Sequence, residues 1–195
     1  MPAPLKAGTF LIASLGLEDP RFSRAVVLIL QHRPDQTLGV IVNRPLGERV
    51  RMYPAEELRT LANGLESGGK PDGMFYQGGP EEPHSLIFLH RLRRAGDGAT
   101  HICDGLYAGG DLDILRGCMP ELDSDSPLLR FYLGYSDWAP GQLENEIAMG
   151  AWILSEANID LVFSEEPESV WQQALHALGG KYAPMSFIPE DPSLN

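Results

Sequence analysis

Ser136 lies in Gly134-Tyr135-Ser136-Asp137-Trp138, between a strand-like run and a helix start. The first three positions match G-x-S-x-G, the sharp turn that exposes a serine nucleophile at the end of a strand. The fifth position is Trp138, where that turn requires a small residue. Asp160 and His176 follow in the order of a Ser-Asp-His triad, but His176 falls in the middle of a predicted helix. The alternative is that Ser136 or Asp137 caps the helix that follows, which needs only one side-chain oxygen.

Glu144 and Glu146 could act as a carboxylate pair for acid–base or metal chemistry. At i and i+2 on a helix they point in different directions, and both sit in first turns, where acids complement the dipole. Helix-end stabilisation or a solvated face is the simpler reading. The histidines His32, His84, His90, His101 and His176 form no HxxxH or HExxH pattern. His101-Ile102-Cys103 has no second pair with zinc-ligand spacing, so no metal site is expected. Gly78-Gly79-Pro80 is neither a Walker loop nor a dinucleotide fingerprint. It reads as a tight turn between strands, or as a bare backbone that something can approach closely.

The elements that must position these residues follow from periodicity. Thr9–Ala13 reads as a first strand. Arg24–His32 and Leu38–Val42 read as a hairpin around Arg33-Pro34-Asp35-Gln36, with the first arm apolar enough to be covered on both faces. Arg44-Pro45 ends it. A helix is predicted over Pro54–Leu61, a loop over Asn63–Asp72, and a short strand over Met74–Gln77. Ser85–Leu92, Thr100–Cys103, Leu106–Ala108 and Leu128–Leu133 read as further strands. A helix is predicted near Leu112–Cys118 and an acidic loop over Glu121–Ser126. The segment from Gly134 to Gln142 reads as a turn leading into a helix to Gly150. Trp152–Leu154 and Asp160–Phe163 read as late strands, Ser169–Leu178 as a helix closed by Gly179-Gly180, and 183–195 as an extended tail. Runs of successive strands with a few helices point to α+β architecture in a single domain, 1–195, with its core at about 8–182.

The chain has 195 residues and a net charge of −12. Residues 1–103 hold 12 Lys/Arg against 11 Asp/Glu, whereas 104–195 hold 3 against 16. Nucleic-acid affinity rests on Lys/Arg neutralising phosphates, so direct nucleic-acid contact is not expected. No apolar run approaches the ~20 residues of a membrane span. Two cysteines make no disulfide framework and no signal peptide is visible, which points to a cytoplasmic protein without membrane contact.

Several blocks together carry a resemblance. They are Leu11-Ile12-Ala13-Ser14, Asp19-Pro20-Arg21-Phe22, Val26-Val27, Leu38-Gly39, Asn43-Arg44-Pro45, Gly78-Gly79-Pro80, Leu89-His90, Gly134-Tyr135-Ser136, Trp138 and Pro140-Gly141-Gln142-Leu143-Glu144 with Glu146 and Trp152. In order and spacing they resemble the YqgE/AlgH family of bacterial cytoplasmic proteins, from Gly8 to about Gly180. The resemblance implies coiled, partly bifurcated mixed β-sheets with flanking helices, and a family label of transcriptional regulator. It implies no cofactor and no assigned reaction. This chain has Leu15 where the family usually has Pro, and Asp137-Trp138-Ala139 where it usually has Gly-Trp-Gly.

Asn43, Gly78, Gly79, Pro80, His90, Tyr135, Ser136, Trp138 and Gln142 match the family pattern and sit near element ends, so they form the candidate binding site. The expected function is a regulatory module that binds a small molecule or a protein partner without touching DNA. The alternative is a hydrolase using Ser136 or a carboxylate in the same cleft.

Overall fold

The structure, a computed structural model, describes residues 3–47, 75–92, 98–110 and 129–188. It is α+β. The strands are β1 (Thr9–Ala13), β2 (Val26–His32), β3 (Thr37–Ile41), β4 (Phe75–Gln77), β5 (Glu81–His90), β6 (Thr100–Cys103), β7 (Leu106–Ala108), β8 (Leu129–Trp138) and β9 (Trp152–Glu156). The helices are α1 (Gln142–Ala148), α2 (Ile159–Val162) and α3 (Val170–Leu178). The strands run β6-β7-β5-β8-β3-β2-β1-β9, with β4 joined to β8 off that path. Every pairing is antiparallel except β4 with β8. The sheet curls far enough that Cys103 on edge strand β6 packs against Gly8, at the start of β1. A Cβ on Gly8 would lie 2.9 Å from the Cys103 Cβ.

Alternation along the central strands sorts side chains onto two cores. Phe10, Ile12, Val26, Leu28, Val40 and Val42 face the larger core with Trp171, Ala174 and Leu175 of α3. Leu11, Ala13, Val27, Ile29 and Ile41 face a smaller core with Trp138, Leu143 of α1 and Trp152. This is why β1 and the first half of β2 carry no polar alternation: both faces are covered. The Trp171 indole N–H donates to the Ala13 carbonyl oxygen at 2.8 Å and ties α3 to the end of β1.

β8 joins two half-sheets. Its first half, Leu129–Leu133, pairs with β5 and β4, and its last residues, Ser136–Trp138, pair with β3. The changeover falls at Gly134 and Tyr135: Gly134 has φ 70°, and Tyr135, opposite Glu81, is the last residue paired with β5. There Gly78 and Gly79 cross β8 backbone to backbone. A Cβ on Gly78 would lie 2.3 Å from the Gly134 carbonyl oxygen, and one on Gly79 would lie 2.1 Å from the Tyr135 carbonyl carbon. Gly78 N donates to Leu133 O at 2.8 Å, and Gly78 O accepts from Ile41 N at 2.7 Å. The glycine segment is therefore stitched between β8 and β3. This is the bifurcation that the resemblance implies.

Four expectations are corrected. β8 does not stop at Leu133 but runs to Trp138, because Gly134 bends the strand without ending it. The turn therefore shrinks to the residues between Trp138 and Gln142. β5 begins at Glu81 rather than Ser85, with an irregular register up to Leu86 that puts Glu82 at φ 42°. Asp160–Phe163 is not a strand: α2 occupies Ile159–Val162, started by the Asn158 side chain accepting from Asp160 N at 2.9 Å. The tail is not extended over Ala183–Phe187, which forms a 3-10 turn. The helices at 54–61 and 112–118, the loops at 63–72 and 121–126, and 189–195 lie outside the described residues.

Gly79→Ala should abolish folding or lower Tm by well over ten degrees, because two backbones would have to part. Gly16→Ala is the control: its Cβ would meet only Ser14 Oγ at 3.8 Å, so Tm should change by no more than a few degrees. A Gly79→Ala variant as stable as the Gly16→Ala variant in a thermal melt would refute the crossing.

Candidate functional site

The structure brings Gly78, Gly79, Pro80, Tyr135 and Ser136 together at the crossing, because β5 starts just after Pro80 with Glu81 opposite Tyr135, while Ser136 lies opposite Gly39 of β3. The two glycines spend their bare backbones on β8 itself. The last residues of β8 alternate. Ser136 and Trp138 are buried, Tyr135 is half-buried at the margin of the larger core, and Asp137 is exposed.

Ser136 is 1% exposed, and its Oγ has no hydrogen-bond partner. It sits inside the strand rather than on an elbow, and neither it nor Asp137 caps α1. The N-cap is Gly141 at φ 75°, with no side-chain bond. The proposed triad partners are placed elsewhere. Asp160 binds Arg91 Nη2 at 2.9 Å, and His176 is exposed on α3 beside Phe187.

Trp138 belongs to a polar knot that local sequence reading did not foresee. Glu146 Oε2 accepts from the Trp138 indole at 3.0 Å and from the Trp152 indole at 2.8 Å, while Glu146 Oε1 accepts from Gln142 Nε2 at 2.9 Å. Gln142 Oε1 in turn accepts from Ala139 N at 3.2 Å and closes the turn before α1. Phe22 packs against both indoles, at 6.4 and 5.5 Å between ring centroids. Glu146 is thus not a solvated-face or helix-end carboxylate. It is the acceptor that lets two tryptophans be buried with their N–H groups satisfied.

Tyr135 has a phenol pushed above its ordinary value, by partial burial and then by the carboxylates of Glu82, Asp137 and Glu81. It is therefore a neutral hydroxyl on an acidic rim. Gln36 Nε2 reaches Asp137 Oδ2 at 3.5 Å on the same rim. Nearby, His32 Nδ1 lies 2.8 Å from Thr37 Oγ1, and its Nε2 lies 3.9 Å from Glu144 Oε1.

Asn43 and His90 carry out tasks within the fold. Asn43 Oδ1 accepts from Val26 N and its Nδ2 donates to Arg24 O, each at 2.9 Å, which pins Arg24 at φ 51° where β2 begins. His90 is fully buried. Its Nδ1 accepts from Leu92 N at 3.2 Å, which leaves Nε2 to donate to Gly109 O at 2.9 Å. Burial lowers its imidazole below the ordinary value, outweighing those two bonds.

Arg130 was also missed, though a lone arginine in the apolar run Leu128–Leu133 was a visible signal. It is 2% exposed. Its Nη1 donates to Val162 O at 2.6 Å and its Nη2 donates to Ser164 O, at the end of α2. The guanidinium lies over the Tyr76 ring at 4.5 Å, and its Nε and the Tyr132 hydroxyl are buried without partners. Among the described residues no three His, Cys, Asp or Glu side chains are placed to hold a metal ion. An open depression of about 400 Å³ lined by Glu165, Glu166, Pro167, Glu168 and Ser169 contains none of the candidate residues.

Residues 10–183 match the family model described as AlgH-like. A UPF0301 protein of Chlorobium phaeobacteroides is 35% identical over 191 residues, covering 98% of this chain and 96% of its own. One of Chlamydia abortus is 33% identical over 197 residues, covering 99% and 97%. A crystal structure of a Corynebacterium diphtheriae protein superposes with a TM-score of 0.73 at 23% identity, covering 96% of this chain and 95% of that one. The solution structure of the AlgH protein from Pseudomonas aeruginosa gives 0.66 at 22% identity, covering 98% of each. At those identities the two structures speak to the fold alone.

Two outcomes follow from this geometry. Glu146→Gln should cost about 1–2 kcal/mol, because bonds to a charged acceptor are replaced by weaker ones. It should also alter tryptophan emission, and an unchanged denaturation midpoint and spectrum would refute the knot. For His90 the folded value lies below the unfolded one. Its contribution is therefore complete above the ordinary imidazole value of 6.5 and is lost as pH falls below it. Urea midpoints should fall on that acid side, and His90→Gln should flatten the slope. An identical slope in the variant would show that His90 is not its source.

Proposed function

The chain belongs to the AlgH-like family, and within it we propose a regulatory, partner-binding module that works without catalysis and without direct DNA contact. The carrying observation is the division of β8 between its two sides. The only hydroxyl nucleophile of the matched motif, Ser136, is sealed inward, while Tyr135 and Asp137 reach the rim with Glu81 and Glu82 close by. A buried hydroxyl without a base within hydrogen-bond reach cannot begin acyl transfer. A neutral phenol, whose oxygen accepts hydrogen bonds, among carboxylates suits recognition of a cationic donor such as an ammonium or a guanidinium.

The acidic rim also argues against a phosphate backbone as the partner, since that contact needs Lys and Arg on the protein side. Regulation then runs through a protein or small molecule. No helix among the described residues is long and apolar enough to cross a membrane. Cys103 is a free thiol, which suits the reducing cytoplasm.

A thermal-shift screen of metabolites and basic peptides tests the reading, because a ligand that binds only the folded state raises Tm. Stabilisation by a hit should survive Ser136→Ala and be lost in Asp137→Lys. Turnover of that hit, abolished by Ser136→Ala in a protein that stays folded, would establish the hydrolase instead. Duplex DNA at micromolar protein and physiological salt should give no mobility shift. A shift that weakens steeply with salt would restore direct DNA contact.

A further inference from the structure

β9 ends the sheet, with β1 on one side and no strand on the other among the described residues. The direction of its backbone groups follows from two bonds: Ala151 O accepts from Ser14 N, and Ala157 N donates to Gly8 O, both on the β1 side at 2.9 Å. Backbone groups alternate sides along an antiparallel strand, so those of Trp152, Leu154 and Glu156 point away from β1. Among the described residues the only bond they receive there is a local one, from Ser155 Oγ to Glu156 O at 3.1 Å. The register against β1 is continuous from Trp152 to Glu156, with no bulge. The strand also contains no Pro and no Lys, the usual devices that blunt an edge.

The surroundings of this edge have a chemical bias. From Phe131 to Gly180 the chain contains no Lys or Arg, and Glu156, on the strand itself, is exposed, while Asp160 just beyond it is bonded to Arg91 at 2.9 Å. At the Trp152 end the bias is apolar. Met149 is 77% exposed and Leu15 is 45% exposed, and the Ser14–Ala151 bond draws their two loops together. A second copy paired about Leu154 would set Glu156 opposite Trp152 and leave the carboxylate without a cation. A strand that alternates basic and apolar residues meets both features.

We propose that the outer edge of β9 is a docking site for an extended basic segment of a partner protein, added to the sheet as a further strand. Main-chain bonds to Trp152, Leu154 and Glu156 supply affinity, and the charges supply selectivity. The site is separate from the Tyr135 rim and does not depend on it.

The test is a titration of the full-length, isotope-labelled protein with a blocked hexapeptide alternating Lys and Val, followed by NMR. The amide signals of Trp152, Leu154 and Glu156 should move together, and binding should weaken several-fold as salt rises from about 50 to 500 mM. Leu154→Pro removes one outward N–H and keeps the β1 bonds, so it should lower affinity about ten-fold with the signals of β1 and β2 retained. Glu156→Lys, at an exposed position, should reverse the preference toward a hexapeptide alternating Glu and Val. No β9 perturbation at millimolar peptide, or equal binding by wild type and Glu156→Lys, overturns the proposal. A dimer of the chain alone that Leu154→Pro converts to monomer also overturns it, in favour of a second copy as occupant. None of these outcomes touches Asp137 or Ser136, so the rim reading stands or falls by its own screen.

Discussion

The sheet of this protein depends on one close contact, where Gly78 and Gly79 lie against the backbone of β8 at Gly134 and Tyr135. No side chain fits there, since any Cβ would come within 2.3 Å of a backbone atom. Just past this point, from Ser136 on, β8 has left β5 and β4 and pairs with β3. The same glycines hold the two half-sheets together through Leu133 O and Ile41 N. A single strand serving two half-sheets lets one curled sheet wrap the larger core and still present a second face to the smaller one.

That arrangement dictates where polar groups are placed. Curling the sheet over α3 brings the end of α2 against β8, and its terminal carbonyls need donors, which Arg130 supplies from inside the core. Covering the opposite face with two tryptophans leaves two indole N–H groups to satisfy, which falls to Glu146. Asn43 fixes the strained entry to β2 in the same manner. Most of the polar residues that match the family pattern are therefore used internally. Among the described residues, the rim beside Tyr135 and the edge of β9 are the places proposed for an outside molecule.

The legible parts of the sequence were those with short-range causes. β1, β2 and β3 could be read because continuous apolar runs are bounded by Arg33-Pro34-Asp35-Gln36 and Arg44-Pro45, and α3 because its buried face repeats up to Gly179. The end of β8 was not legible, since a glycine at φ 70° inside a strand looks the same in sequence as one that ends it. Ile159-Asp160-Leu161-Val162 alternates like a strand, and the overlooked signal was Asn158 as a cap. Asn43, His90 and Trp138 were legible as residues matching the family pattern, but their tasks within the fold were not. The crossing of Gly79 with Tyr135 and the bond of Trp152 to Glu146 are tertiary contacts with no local signature.

Because both half-sheets are held through the glycine crossing, it should be the last part of the sheet to open, and native-state amide hydrogen exchange tests this most directly. The amides of Gly78 and Ile41, bonded at 2.8 and 2.7 Å across the crossing, should exchange only through global unfolding. The β6–β7 pair at the sheet's other end should open at lower free energy. Gly78 or Ile41 amides that exchange faster than those of β6 and β7 would contradict the account.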